Sequence, residues 1–149
     1  MFSQKTYIKN RYMLAWRVGL VLNTALFSCE YVIYMGFKAL HYSEVKVDEV
    51  NECSAEGAKV RWLITKNDGA DHFAMRCFEI APGGHSPHHS HKWEHEVFIL
   101  DGECLVVCGD QRKKVGPNYV VFIPPNEMHH FRNEGTEVLR FLCLVPHHE

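Results

Sequence analysis

The sequence lacks the features that mark several common classes of protein. No two of its six cysteines form a CxxC pair, and most lie inside apolar runs, which favours buried reduced thiols in a cytosolic protein over a disulfide framework. No basic stripe stands out in a chain whose formal net charge is -2, so nothing favours binding to nucleic acid. What is left is an ordinary globular composition in 149 residues, which suits one domain with its own core.

A long hydrophobic run is also missing, although residues 1–34 differ from the rest. Four basic residues without an acid among them precede an uncharged run of 12 residues, Val18–Cys29, which is too short for a membrane span. We interpret this segment as an extra or mis-assigned N-terminus, with translation beginning at Met35. A secretory signal or membrane anchor is one alternative, and a structural helix is the other. The expected location is the cytoplasm, or, if the segment is a signal or anchor, export or a tether to the membrane.

Residues 35–149 form the predicted domain, and no helical period of any length appears after residue 44. Short runs rich in aromatic and β-branched residues, such as Val60–Lys66 and His72–Ile80, predict strands. Glycine and proline punctuate them, and Ala81–Gly84 is expected to end the strand that precedes it. Further strand-like runs follow up to Pro146. The pattern predicts an all-β sandwich or barrel.

The segment from Gly83 to Gly102 holds five of the 11 histidines. In a strand, His89 and His91 point to the same face, and His95 follows four residues later. Clustered imidazoles repel one another when protonated, so the arrangement favours a cation that replaces their protons. We predict that these three bind a metal, whereas His85 and His88 are expected to lie in a solvated turn.

Two spacings in this region resemble the motifs of the cupin superfamily. The first is Gly83-x5-His89-x-His91-x3-His95-x6-Gly102, and the second is Pro124-x-Asn126-x2-His129-x3-Asn133, with asparagine in a slot where the family has glycine. The resemblance covers about residues 35–149. It implies a small double-stranded β-helix, or jelly-roll barrel.

The third ligand of the first cupin motif is normally glutamate, and here His95 and Glu96 stand side by side. The six-residue spacing to Gly102 selects His95, and adjacent strand residues face opposite sides, so Glu96 is the less favoured alternative. With four histidines in these slots, the chain resembles small single-domain cupins that bind manganese through a four-histidine site. The resemblance implies that the metal is manganese, with iron and nickel as alternatives. It also implies the metal ligands His89, His91, His95 and His129.

Three further residues are predicted to bind a substrate. By alternation Phe141 and Cys143 share one strand face, and the resemblance places that face in the pocket. Arg76 shares its face with apolar residues, and a buried arginine needs a partner or a substrate anion. The alternative for Arg76 is a surface position beside the mouth of the barrel.

No serine or cysteine is recognised as a nucleophile paired with a general base, so no catalytic residue is predicted. Any chemistry is expected to come from the metal. We predict a metal-binding cupin with oxygenase or oxidase activity on a small molecule. The alternative is a non-enzymatic module that binds or senses a small ligand or a metal. Fold alone does not choose between them.

The strand His72–Ile80 is apolar on both faces, with Phe73, Met75 and Cys77 on one of them. A small barrel fills only one inner face, so an apolar outer face predicts burial against a second copy in a two-fold homodimer. The alternative is that residues 35–60 fold back over this face within one chain.

Overall fold

The computed structural model describes residues 36–52 and 54–147, and within them the protein is built from strands. Two 3₁₀ turns of three residues, Tyr42–Glu44 and Lys66–Asp68, are the helical elements of this part of the chain. The strands are β1 Val47–Glu49, β2 Glu56–Ile64, β3 Phe73–His85, β4 His95–Asp101, β5 Cys104–Cys108, β6 Gln111–Val115, β7 Val120–Ile123, β8 His129–Asn133 and β9 Leu139–Pro146. The all-β prediction is confirmed.

The predictions for residues 1–34 lie outside the described residues. Within the described ranges, no helix has the length and apolar character needed to cross a bilayer.

One antiparallel sheet joins these strands in the order β6-β5-β8-β3-β9-β4-β7, and β2 pairs with β1 and with β3. β3 is the longest strand, and its register with β9 runs unbroken from Phe73–Pro146 to Ile80–Leu139. The sheet curls into a half-barrel, as expected for a jelly roll, and its inner side chains form one core. The large apolar side chains that are at most 1% exposed mark the centre of that core: Ile80, Ile99, Ile123, Leu139 and Phe141.

The prediction that Ala81–Gly84 ends its strand is wrong, because β3 continues to His85. Its register against β2 shifts between the pairs Ala58–Ile80 and Glu56–His85, so β3 carries extra residues here. Gly83 takes the left-handed conformation at φ 78°, which fits a bulge. A proline within a bulge has no ladder hydrogen bond to lose, and the strand therefore continues past it.

Three residues of the predicted cupin motifs have structural roles. Gly102 has φ 81°, and a Cβ there would lie 2.8 Å from Leu139 Cα, so the hairpin between β4 and β5 requires glycine. Asn126 has φ 65°, and asparagine is among the few residues that adopt this conformation readily in place of glycine. Asn133 is fully buried, and its side chain donates to the carbonyls of Ile80 and Glu137, each at 2.8 Å.

The chain itself covers part of the outer face of β3. The Arg61 guanidinium donates to the backbone carbonyls of Ser43 and Val45, and Arg140 donates to the hydroxyl of Tyr42. Cys77 is 1% exposed on this face, whereas Phe73 is 58% exposed. Coverage within one chain is thus partial, and the homodimer stays a prediction.

The cysteine prediction agrees with the structure where it applies. Cys77, Cys104, Cys108 and Cys143 are free thiols, and all but Cys108 are buried. Cys29 and Cys53 lie outside the described residues.

Candidate metal centre

The structure brings together the four histidines that the motifs single out. His89 and His91 precede β4, His95 begins β4 and His129 begins β8. His89 and His129 form a two-way backbone bridge, with N–O distances of 3.2 and 2.9 Å, which fixes the first motif against the second. One ring nitrogen from each of the four lies within 4.8 Å of the others.

Each of these histidines has its Nδ1 engaged by a group outside the cluster. His91 Nδ1 lies 2.8 Å from the carbonyl of Trp93, and His129 Nδ1 lies 2.8 Å from that of Glu127. The other two partners are side chains. His89 Nδ1 lies 3.2 Å from Glu52 Oε2, and His95 Nδ1 lies 3.5 Å from Cys143 Sγ. Carbonyls and carboxylates only accept, so Nδ1–H of His89, His91 and His129 donates outward and the Nε2 of each keeps its lone pair.

The Nε2 atoms fit a cation in the middle of the cluster. His91 Nε2 and His95 Nε2 lie 2.7 Å apart, and because His91 Nδ1–H donates to the carbonyl of Trp93, His91 Nε2 has a free lone pair. His129 Nε2 is buried and has no hydrogen-bond partner. Four imidazoles are a donor set that suits first-row transition metals. The cluster therefore suggests a metal-binding site, and the identity of the metal stays a prediction.

Burial favours the neutral form of His91, His95 and His129, the form in which histidine binds a metal. Loss of water is the main cause that lowers the pKa of His95 to about 2, and the nearby Arg76 guanidinium lowers it further. Burial likewise lowers the pKa of His129 to about 4. The pKa of His91 is lowered in the same direction, again chiefly by burial.

The remaining histidines of the two motifs lie outside this group. His88 and His130 are neighbours, with ring centroids 4.9 Å apart, and His85 lies 6.2 Å from His130 by the same measure. Glu96, the alternative third ligand, is exposed on β4 while His95 beside it is 5% exposed. The structure thus separates adjacent residues onto the two sides of the sheet.

A cavity of about 530 Å³ opens onto the cluster. The three predicted substrate-binding residues, Arg76, Phe141 and Cys143, all line it. Phe78 and Phe131 pack with Phe141 to form an aromatic wall, with ring centroids 5.2 and 4.9 Å from that of Phe141. The size suits a small organic molecule, since ligand pockets commonly span roughly 300–1,000 Å³.

Sequence reasoning missed the acidic segment that borders this cavity. Asp48, Glu49 and Glu52 line the pocket, and Glu52 reaches His89. No spacing signals this contact, because Glu52 lies in an irregular stretch between β1 and β2. The stacking of Trp93 on His91, with centroids 4.3 Å apart, was also missed, although Trp93 lies within the first motif.

The comparisons with known proteins identify the family. Residues 76–145 match the family profile described as Cupin domain. The polyketide cyclase RemF from Streptomyces resistomycificus is similar in structure, with a TM-score of 0.70 and 38% identity over 74% of this chain and 80% of that one. The chain belongs to the cupin superfamily. A cupin-2 domain from Rhodospirillum rubrum gives a TM-score of 0.66 at 30% identity and covers 75% of this cupin and 76% of that chain.

A curated relative of this cupin is 1-methylthio-D-xylulose 5-phosphate methylsulfurylase from Rhodospirillum rubrum. It is 41% identical over 71 residues, which are 48% of this chain and 46% of that protein. Mannose-1-phosphate guanylyltransferase from Salmonella typhimurium is 32% identical over 50% of this chain and 16% of its own length. The chain therefore spans less than half the length of these curated relatives.

Proposed function

We propose that this cupin is a metal-dependent oxidoreductase of the dioxygenase type, and that it acts on a small molecule. The single observation that supports it most is the convergence of one ring nitrogen from each of four histidines at one open cavity, with each Nδ1 close to a group outside the cluster. The proposed ligands are His89, His91, His95 and His129. We propose manganese as the metal, with iron and nickel as the next choices.

Four neutral imidazoles would leave the charge of a bound divalent ion uncompensated, so the ion would supply Lewis acidity toward a substrate oxygen. The chain's own groups would do the rest. The carbonyls of Trp93 and Glu127 hold two of the rings in place, and the buried Phe131 and Phe141 keep water from the inner wall. We propose that Arg76, Phe141 and Cys143 contact the substrate.

The test begins with the metal. The full chain is purified without added metal, its metal content is measured by mass spectrometry, and the chelated protein is reloaded with Mn²⁺, Fe²⁺ or Ni²⁺. Dioxygen uptake is then followed with a panel of enols, catechols and β-diketones. We expect close to one ion per chain and uptake with at least one reloaded metal. Stoichiometric metal with no uptake across the panel would count against oxygenase activity.

A redox-neutral reaction is a second candidate, and the similarity to a polyketide cyclase favours it. The same Lewis acid would polarise a carbonyl without any oxidant. Mass spectrometry of the products separates the two, since a cyclisation by dehydration removes one water and consumes no dioxygen. A non-enzymatic binding module, the third possibility, would bind metal and ligand and return the ligand unchanged.

A further inference from the structure

Arg76 differs from the other arginines that flank the central strands. Arg61 pairs with Glu79 at 3.0 Å, and Arg140 pairs with Asp101. Arg76 forms no ion pair with any carboxylate of the described residues. Its Nη2 donates to Cys143 Sγ at 3.1 Å, and its Nε is buried without a hydrogen-bond partner. A guanidinium of this kind is costly to bury unless an anion joins it.

The surroundings of Arg76 direct it into the cavity. Its guanidinium carbon lies 5.4 Å from the ring centroid of Trp62 and 5.1 Å from that of Phe78. These rings stabilise the cation through their faces, but they do not accept the hydrogen bond that its buried Nε lacks. Cys143 Sγ, which accepts from Arg76, lies 3.5 Å from His95 Nδ1. An anion bound by Arg76 would thus lie beside the histidine cluster.

The charges of the cavity limit how much negative charge a ligand carries. Arg76 is the one lysine or arginine among the described residues that line it, whereas Asp48, Glu49 and Glu52 stand there as well. Asp48 and Glu49 are paired with Lys46 and Lys59, and Glu52 contacts His89, so Arg76 is the lining charge left to be balanced. One guanidinium balances a single negative charge better than a phosphate dianion. The aromatic wall of Phe78, Phe131 and Phe141 favours an apolar body behind that charge.

We propose that the ligand class of this pocket is a small aromatic monoanion, a carboxylate or enolate whose oxygen is bound by Arg76, and not a sugar phosphate. The inference rests on the proposed function in that it assigns the substrate class of the same cavity. The planar guanidinium suits an oxygen pair or a single enolate oxygen, because its donors form a rigid fork. A ligand of this class is compatible with both the oxygenase and the cyclase candidates.

The test is calorimetric binding to the full chain with three probes: 2-naphthoate, its neutral analogue 2-naphthamide, and D-xylulose 5-phosphate. We expect naphthoate to bind at least about tenfold more tightly than the amide, as hydrogen bonds to a charged group predict. We expect the sugar phosphate to bind more weakly than naphthoate. Each titration is run on Mn²⁺-loaded and on chelator-treated protein, so the preference for the anion is measured even if the metal chemistry proposed above fails.

Three variants assign the effect to the side chain. Arg76→Gln should weaken naphthoate binding by about tenfold or more and leave the amide unchanged, whereas Arg76→Lys should restore part of the loss. Arg112→Gln, at an exposed position on β6, is the matched control and should change nothing. Equal binding of acid and amide to the wild type overturns the proposal without any variant. Tighter binding of xylulose 5-phosphate, or full naphthoate affinity in a folded Arg76→Gln protein, overturns it too.

Discussion

Two groups of histidines lie on opposite sides of one sheet, and only one of them converges on a centre. The inner group is the proposed ligand set, and the outer group is His85, His88 and His130. Spacing alone does not distinguish them. Inner ring centroids lie 4.4 to 5.2 Å apart, and those of His88 and His130 lie 4.9 Å apart. Members of the two groups are even neighbours in the sequence: His88 precedes His89, and His130 follows His129.

The difference lies in what holds each ring. Every inner Nδ1 lies 2.8 to 3.5 Å from a group outside the cluster, which helps to fix the orientation of its ring. In the outer group His85 Nδ1 lies 3.0 Å from the carbonyl of Ser86, but His130 Nδ1 is buried with no partner. A cluster of metal-binding residue types thus becomes a candidate centre through its supporting groups. The predictions below test whether this distinction holds, from the largest expected effect to the smallest.

The largest difference is expected between neighbouring residues of β8. His129→Ala should weaken Mn²⁺ binding by at least about a hundredfold, since loss of a ligand should exceed the tenfold to hundredfold effect of losing a supporting group. His130→Ala should leave the metal affinity within about twofold, because its ring is on the other side of the sheet. Metal titration of both chelated proteins measures this. Equal losses in the two variants would remove the distinction between the groups.

The start of β4 offers the same contrast between His95 and Glu96. His95→Ala should lower metal occupancy sharply, and Glu96→Gln should leave it largely intact, because the Glu96 side chain is exposed. Metal content after gel filtration reports both. If Glu96→Gln abolishes binding and His95→Ala does not, the register of the first motif has been misread.

A supporting group should matter less than a ligand. Glu52→Ala removes the acceptor 3.2 Å from His89 Nδ1 and should weaken metal binding about tenfold, at the low end of such effects because Glu52 is largely exposed. Glu49→Ala, another carboxylate at the mouth, pairs with Lys59 and is the matched control. The same loss of metal affinity in both variants would mean that the effect comes from the negative charge at the cavity mouth and not from the orientation of the His89 ring.

The strands with clear alternation could be predicted, and the polar ones could not. β9 was predicted from an apolar run that ends at Pro146, and it buries every second residue from Leu139 to Val145, while Leu142 and Leu144 on its other face are half-buried. β6 has four exposed residues in a row, Gln111 to Lys114, and joins the sheet through backbone pairing with β5. Pairing of this kind leaves no hydrophobic signal. β1, with three residues, is too short to show a period.

The features of the site also divide into those that could be predicted from the sequence and those that could not. Motif spacing identified the four converging histidines, because the ligands lie at fixed offsets around two turns. The contact of Glu52 with His89 joins an irregular segment to a loop. Such a contact depends on how the chain crosses the mouth of the barrel, which no local pattern encodes. Cys143 was placed in the pocket by alternation, yet its contact with His95 follows only from the pairing of β4 with β9.

A smaller effect is expected at two asparagines with positive φ, Asn118 at 70° and Asn126 at 65°. Alanine at either position should lower the free energy of unfolding by roughly 1 kcal/mol, the strain of a left-handed residue with a Cβ. Only Asn126→Ala should also weaken metal binding, by a few-fold, since Asn126 N donates to the His91 carbonyl at 2.7 Å. Urea denaturation and metal titration check both, and Asn126→Gly should restore stability. A metal effect of Asn118→Ala as large as that of Asn126→Ala would contradict this.

The last prediction concerns the outer side of the sheet, where a change should not reach the metal at all. Phe73 is 58% exposed and Met75 half-buried beside it, so this end of β3 is free to meet a second copy, whereas Cys77 is already covered within the chain. We expect a two-fold dimer at micromolar concentration by sedimentation. Met75→Glu should dissociate it with unchanged metal content, because the carboxylate would lose water at the interface. Val120→Glu, at a 77% exposed position on the distant edge strand β7, should leave the dimer intact. A wild-type species of 17.3 kDa excludes the dimer, and dissociation by Val120→Glu alone would place the contact on β7 instead.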